Sequence, residues 1–383
     1  MGKLRVAWRG LSLIFFLLAF RFISYGQTYD QKVADYILKV ENPHSFLQHI
    51  EKIGVKDVMN GGSIGLDSAY RWLKKMSEQA GYTTKTQSFI FSGDTLRNIE
   101  FVKKGAIDSC IIIGAHYDSR IGAGVNDNGT GDFALNQIAK LLKGINTKYT
   151  IRFVYFSGEE IDYLGSKYYV STLNKDSVKI KFMLNLDQLG GTIGEDNSGI
   201  KCERDEVSAK KEQSNALAVS MAKIYSLYTN LNPVITPAYL SDYLIFRDAG
   251  YLISGIYQYS SFPYYHSEGD LLKYMDFNSL VSTVKGALAF VLYFSEAEVP
   301  VGIDAKNGYA RDLDVYYSNR KLFVQSDTDY LLSVYDGLGR EVFHKQGCEN
   351  DNSISLNQFK TGVYFVHLKT ETGNVYKKFL VEP

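Results

Sequence analysis

Between residues 110 and 293 the chain alternates short apolar runs with longer stretches whose apolar positions recur at helical spacing. The apolar runs predict buried strands at residues 110–115, 150–156, 180–186 and 251–256. The helical spacing predicts helices at residues 130–142, 164–173, 215–227, 241–249 and 277–293. Strands separated by helices favour an α/β fold, with a mostly parallel central sheet sandwiched by helices.

The segments that flank this region follow other patterns. Residues 31–80 have helical spacing, and residues 86–91 and 99–102 alternate as two strands joined by a turn. Residues 299–312 show no regular pattern and predict a linker. Residues 313–383 form short alternating runs separated by turn signals, which predict a small antiparallel β-sandwich.

The first residues have the order typical of a signal peptide. Lys3, Arg5 and Arg9 precede an apolar run at residues 11–20 that is too short to span a membrane comfortably. Small residues before Gln27 predict cleavage there, although an uncleaved membrane anchor is the alternative. We therefore predict a signal peptide at residues 1–26, an α/β domain at 27–298, the linker, and the sandwich, with no stable membrane span after cleavage.

Charge and cysteine content narrow the possible partners. Lys plus Arg and Asp plus Glu both number 42, so the net charge is zero, which argues against nucleic acid as a partner. Three cysteines, Cys110, Cys202 and Cys348, make no disulfide framework. We expect Cys110 in a core strand and the other two in polar loops.

Acids and histidines follow the predicted strands at their carboxyl ends. His116 and Asp118 are two residues apart, so an extended backbone would point both side chains the same way. Asp127 lies in the glycine-rich segment GVNDNGTG, where it could cap a helix or bridge two metal ions. Taken singly, each motif also fits a purely structural role.

The later strands end in the same kind of residue. Glu159 and Glu160 follow the second strand, Asp187 follows the third, and His266 lies in YYHSEGD. Paired glutamates often only begin a solvated helix, but a bend here could send one carboxylate to a metal and leave the other to accept a proton. Because such strand ends meet at one edge of a doubly wound sheet, the set predicts a metallohydrolase site.

At this point the chain resembles a known family, the extracellular co-catalytic zinc aminopeptidases of the bacterial leucyl aminopeptidase type. Glutaminyl cyclases and the protease-like domain of the transferrin receptor are relatives. The matching blocks cover roughly residues 30–297 and are GAHYDS, GVNDNGTG, FSGEE, LNLDQLGG, SDYLIF and YYHSEGD. The resemblance implies a zinc-exopeptidase fold for residues 27–298.

The resemblance also implies two zinc ions per chain. One zinc would bind His116 and Asp187, and the other would bind Glu160 and His266. Asp127 would bridge the two ions.

Three further roles follow from the same resemblance. Glu159 would be the general base for a metal-bridged hydroxide, Asp118 would orient His116, and Tyr265 would steady the oxyanion. The implied protein is a zinc-dependent aminopeptidase, and we expect a monomer that acts on peptides with a free N-terminus. A glutaminyl-peptide cyclotransferase and a non-catalytic binding protein of the same fold are the alternatives. The cyclases tend to carry tryptophan where this chain has Tyr265.

The C-terminal segment resembles a second family, the type IX secretion sorting domains. The matching stretches are LLSVYDGLGREVF, LNQFKTGVYFV and KKFLV, while the usual early Tyr-Pro-Asn-Pro is replaced by Tyr-Tyr-Ser-Asn at residues 316–319. The resemblance implies recognition by secretion machinery and a secreted or cell-surface location. The alternative is an accessory sandwich that binds substrate or glycan.

Overall fold

The computed structural model describes most of the chain. The described residues are 28–57, 59, 63–173, 179–300, 313–318, 321–326, 329–337, 339–347, 353–369 and 374–381. The chain forms two compact units, the first ending at Val301 and the second beginning at Gly302. The predicted signal peptide, residues 301–312 of the predicted linker and Cys348 lie outside the described residues.

The first unit combines eight α-helices, one short 3-10 helix (Leu272–Tyr274) and eight strands among its described residues. The helices are α1 (Gln31–Ile37), α2 (His44–Ile53), α3 (Ser63–Gln79), α4 (Gly129–Leu142), α5 (Leu164–Thr172), α6 (Lys211–Tyr228), α7 (Tyr243–Asp248) and α8 (Phe277–Phe294). The strands are β1 (Thr84–Phe91), β2 (Asp94–Lys103), β3 (Ile107–His116), β4 (Tyr149–Phe156), β5 (Ile180–Leu186), β6 (Gly199–Arg204), β7 (Asn232–Pro237) and β8 (Ile253–Gln258).

All eight strands form one mixed sheet in the order β1-β2-β4-β3-β5-β8-β6-β7. The run from β4 through β3 and β5 to β8 is parallel, and β6 is also parallel to β7. The pairs β1·β2, β2·β4 and β6·β8 are antiparallel. The α/β class is therefore confirmed, with the parallel strands at the centre, where the sequence is most continuously apolar.

Helices cover both faces of this sheet. The alternating side chains of β3 show this, because Ile111 and Ile113 belong to one core and Ile112 to another. The first core includes residues of α1, α2, α3, α4, α6 and α8, while the second lies under α5 and α7. Helix α8 is apolar enough to cross a membrane, but more than half of it is buried in this core.

Several local predictions differ from the structure. The helical stretch at residues 31–80 is three separate helices, and α6 begins four residues earlier than predicted. Strands β6 and β7 were not predicted at all. Cys202, expected in a polar loop, is fully buried in β6, so that prediction was wrong. Cys110 is fully buried in β3, as expected.

The second unit contains only β-strands among its described residues. They are β9 (Leu313–Ser318), β10 (Lys321–Ser326), β11 (Tyr330–Asp336), β12 (Glu341–Gly347), β13 (Ser353–Ser355), β14 (Gly362–Lys369) and β15 (Asn374–Val381). They form antiparallel sheets of three and four strands, in the orders β13-β10-β9 and β12-β11-β14-β15. Leu322 of one sheet and Leu332 and Val366 of the other share one core, which confirms an antiparallel β-sandwich.

Candidate metal-dependent active site

The chemistry-bearing side chains collect at the carboxyl ends of the three central parallel strands. His116 ends β3 and pairs with Phe156 at the end of β4, and Asp187 directly follows β5. Glu159 and Glu160 follow β4 after a tight turn at Gly158, whose φ of 77° suits glycine. Parallel register thus brings residues from distant parts of the sequence to one edge.

A first group of possible metal ligands consists of His116, Asp127 and Asp187. The Nε2 atom of His116 lies 3.3 Å from Oδ1 of Asp127 and 3.4 Å from Oδ1 of Asp187. All three residues are buried. Three donor atoms of this kind converge as zinc ligands do.

A second group shares Asp127 and adds Glu160 and His266. The Nε2 atom of His266 lies 2.8 Å from Oε2 of Glu160 and 3.4 Å from Oδ2 of Asp127. Asp127 thus faces a different histidine with each of its two oxygens. One carboxylate placed in this way can serve two ions.

The donor atoms of both groups fit a metal better than they fit one another. Oδ2 of Asp127, Oε1 of Glu160 and Oδ1 of Asp187 are buried and have no hydrogen-bond partner among the described residues. Buried polar atoms are normally hydrogen bonded, so such atoms in one cluster call for a ligand. Imidazole and carboxylate donors are the set that zinc accepts.

The electrostatics of the cluster favour positive charge. Burial alone would raise the pKa of Asp127, but the neighbouring imidazoles of His116 and His266 lower it to about 2. Burial opposes a charge on His266, yet Asp127 and Glu160 raise its pKa to about 9. Burial raises the pKa of Glu160 to about 7. The carboxylates therefore outweigh the two histidines, as expected of a site for cations.

Glu159 lies beside the ligand cluster without belonging to either group. Its Oε2 is 4.0 Å from Nε2 of His116, and burial raises its pKa well above the usual range. Asp118 fixes this turn, since its two oxygens accept hydrogen bonds from the backbone amides of Glu159 and Glu160 at 3.2 and 3.1 Å. Nδ1 of His116 is 3.8 Å from Asp118, so Asp118 contacts the turn more closely than it contacts the imidazole.

A cleft opens next to the cluster. Glu159, Asp187 and His266 line it together with Tyr265. Tyr265 is about half exposed, and its ring stacks on that of His266 at 3.7 Å between centroids. The cleft therefore gives a substrate access to the same side chains that form the ligand cluster.

Two functional positions in SDYLIF were not assigned a role from the sequence. The hydroxyl of Ser241 donates to Oδ2 of Asp187 at 2.7 Å and accepts from the amide of Asn185 at 2.9 Å. Asp242 is fully buried, which raises its pKa to about 7, and its charge raises the pKa of Glu159. The matched block SDYLIF was the only signal for them.

A second missed position supports the loop that carries Asp127. The carboxylate of Asp270 accepts hydrogen bonds from the backbone amides of Asn126 and Asp127 at 2.7 and 2.9 Å. Lys56, fully buried, donates to the carbonyl of Ala123 in the same loop. The YYHSEGD block contains Asp270, but nothing local in the sequence indicates which amides it holds.

Comparison with known proteins agrees with this geometry. Residues 99–291, half of the chain, match the sequence model of peptidase family M28. The chain belongs to peptidase family M28. This family is zinc-dependent, and the M28 segment contains all of the donor residues described above.

Curated relatives of this M28 chain include peptidases of known name. It is 34% identical over 152 residues to leupeptin-inactivating enzyme 1 of Streptomyces exfoliatus. The aligned region covers 37% of this chain and 35% of that protein. The chain is 30% identical over 167 residues to leucine aminopeptidase 2 of Trichophyton rubrum, covering 43% and 34%. The chain thus spans about a third of the length of these relatives.

Solved structures share the fold. The LapA aminopeptidase of Legionella pneumophila matches 70% of this chain and 76% of its own, with a TM-score of 0.61 and 20% identity. A glutaminyl cyclase of Bacteroides thetaiotaomicron matches 69% and 99%, with a TM-score of 0.55 and 18% identity. At these identities the likeness shows the fold, which an aminopeptidase and a cyclase have in common.

The C-terminal unit matches a family of its own. Residues 318–382 match the secretion system C-terminal sorting domain. The M28 chain is therefore an exported protein of the cell surface or the medium.

Proposed function

We propose that this M28 peptidase is a two-zinc aminopeptidase that removes N-terminal residues from peptides. The observation that carries the proposal is the pair of ligand groups that share Asp127. Several of the ligand atoms are buried without a hydrogen-bond partner, and several of the ligand residues line the cleft. The proposed organisation is a mature peptidase domain at residues 27–298, a linker at 299–312 and the sorting domain at 313–383, acting as a monomer.

In this proposal each ion has its own histidine. His116 and Asp187 would hold one zinc, Glu160 and His266 the other, and Asp127 would bind both. Zinc held there would polarise the scissile carbonyl and lower the pKa of water.

The chain's own groups move the protons. Glu159 accepts a proton from the attacking water and later gives it to the leaving amine, because its carboxyl lies at the cleft wall beside the cluster. Asp118 is a positioning residue that fixes the amides of Glu159 and Glu160. Tyr265, at the open side of the cleft, donates a hydrogen bond to the developing oxyanion.

The acidic character of the site supports a substrate with a free amine. A charged N-terminus needs anionic partners, and the cleft presents Glu159 and Asp187. A peptide with a blocked N-terminus would lose these contacts and would leave carboxylates unpaired.

The test combines metal analysis with matched substrates. We expect about two zinc ions per chain and hydrolysis of leucyl-p-nitroanilide but not of its N-acetyl form. Glu159→Gln should keep its zinc and lose about 10²- to 10⁴-fold in kcat, whereas Glu195→Gln, at an exposed position, should match the wild type. Full activity of Glu159→Gln would contradict the general-base role. Cyclisation of an N-terminal glutaminyl peptide, without hydrolysis of aminoacyl anilides, would support the cyclotransferase instead.

A further inference from the structure

The cleft extends from the ligand cluster toward β6, an element that the proposed reaction does not use. Glu203 of β6 lines it, together with Tyr243 and Tyr257. Tyr239 and Leu240 line the same cleft and are more than 60% exposed, so they form its entrance. Glu203 is only 4% exposed and lies at its inner wall.

The sheet register fixes where Glu203 lies relative to the reacting groups. Gly255 of β8 pairs with Asn185 of β5 on one side and with Glu203 of β6 on the other. Neighbouring strands are about 4.8 Å apart, so Glu203 is about 10 Å across the sheet from β5 and the Asp187 that follows it. The backbone of Glu203 is therefore two strands away from the backbone that carries Asp187, and the charge of Asp187 still raises the pKa of the Glu203 carboxyl.

The fold makes room for a carboxyl at this point. A Cβ atom at Gly255 would lie 2.7 Å from Oε2 of Glu203 and 2.8 Å from Cε2 of Tyr243. Any larger residue would therefore displace the carboxylate or the tyrosine ring. The pair Glu203 and Tyr243 occupies space that β8 leaves free.

Glu203 has polar neighbours but no ion-pair partner. The Tyr243 hydroxyl donates to Oε2 at 2.8 Å. Burial raises the pKa of Glu203 to about 8, so a cation bound beside this carboxyl is needed to favour its ionised form at neutral pH. Among the described residues, no cationic side chain lies within 4.0 Å of this carboxylate. Lys201, two residues earlier on the same face, places its Nζ over the ring of Tyr257, 4.9 Å from the centroid.

We propose that Glu203 determines specificity by binding the cationic side chain of an N-terminal lysine or arginine. This inference rests on the proposed aminopeptidase function and adds a substrate class to it. With its amine and carbonyl at the ligand cluster, the first residue would point its long stem along the cleft. Its charged end then reaches Glu203 and forms a charge-assisted hydrogen bond.

The same geometry disfavours an apolar first residue of equal length. A norleucyl side chain would cover Glu203 without pairing it, and a site built for a polar group discriminates strongly against an analogue that lacks it. Arginine and lysine should both bind, because the inner wall presents a carboxylate and the Tyr243 hydroxyl rather than a shaped apolar end.

The experiment compares lysyl- and norleucyl-p-nitroanilide with the purified full chain. We expect kcat/KM for the lysyl substrate to exceed that for the norleucyl substrate at least tenfold, and Glu203→Gln to lower this ratio at least tenfold. Glu206→Gln is the matched control, since Glu206 pairs with Arg204 and is exposed. An unchanged ratio in Glu203→Gln would overturn the inference.

A binding measurement separates this inference from the function on which it rests. Calorimetry with free L-lysine and L-norleucine should show at least tenfold tighter binding of lysine, lost in Glu203→Gln and kept in Glu206→Gln. If neither anilide is cleaved but lysine still binds through Glu203, the aminopeptidase proposal fails and the subsite stands. If both anilides are cleaved and lysine binding does not depend on Glu203, the subsite fails alone.

Discussion

Replacing Asp270 by asparagine tests how the chain holds the shared ligand Asp127. Both oxygens of Asp270 accept from consecutive backbone amides, those of Asn126 and Asp127. Asparagine has the same shape, but its amide nitrogen cannot accept a hydrogen bond. In Asp270→Asn one of the two buried backbone donors must therefore face a second donor or lose its partner.

The size of the effect follows from those two contacts. A hydrogen bond to a charged group contributes about 1.5–3 kcal/mol, and an unsatisfied buried donor costs about 1–3 kcal/mol. Because these contributions overlap, we expect the free energy of unfolding to fall by about 2–4 kcal/mol. A displaced Asp127 should also weaken zinc binding about 10- to 100-fold, as is typical when a ligand loses its support.

The assay measures both quantities on the same samples. Urea unfolding in the presence of a chelator gives the stability change, and competition with a coloured zinc chelator gives the affinity. Asp30→Asn is the control, because exposed Asp30 caps α1 through one oxygen, which accepts from the backbone amide of Lys32 at 2.9 Å. Asparagine is as good a helix cap as aspartate, so this variant should lose little stability and no zinc. Unchanged zinc affinity in Asp270→Asn would refute the idea that Asp270 positions Asp127.

Three further outcomes are expected. Ser241→Ala should weaken zinc binding about tenfold, because it removes the hydrogen bond to Asp187; equal zinc affinity would mean that Asp187 is held by other contacts. Gly114→Ala should cost about 1–3 kcal/mol in urea unfolding, since its Cβ would lie 2.5 Å from the ring of Phe156, while Gly144→Ala, with no atom within 4 Å, should not. Deleting residues 313–383 should leave peptidase activity in cell lysates and abolish export; truncated protein in the medium would contradict a sorting role.

The sequence brings the proposed ligand residues to attention because they follow a local rule. Three of the four predicted central strands are followed within three residues by a histidine or an acid, namely His116, Glu159 and Asp187. Parallel strands bring their carboxyl ends to one edge, so position in sequence translates directly into position in space. His266 follows no predicted strand directly, and only the resemblance indicated its partner Glu160.

The supporting residues were not predictable because their partners are remote in sequence. Asp270 holds amides more than 140 residues away, and Ser241 holds a carboxylate 54 residues away. The spacing of apolar and polar residues along the chain does not predict a contact between residues so far apart. Strand β6 was missed for a similar reason, since its six residues include Lys201, Glu203 and Arg204 and its pairing with β8 is set by tertiary contact.

The residues proposed for catalysis and the residue proposed for specificity lie on different strands of the sheet. The reacting groups lie at the ends of β3, β4 and β5, which are buried on both faces and tolerate little change. Glu203 lies on β6, two strands from β5, where Gly255 leaves space for it. A substitution at position 203 can therefore alter the preferred first residue without moving a ligand of the metal cluster. The preference for the first residue of a substrate should accordingly depend on β6 and the segment before α7 rather than on the strand ends that carry the proposed metal ligands.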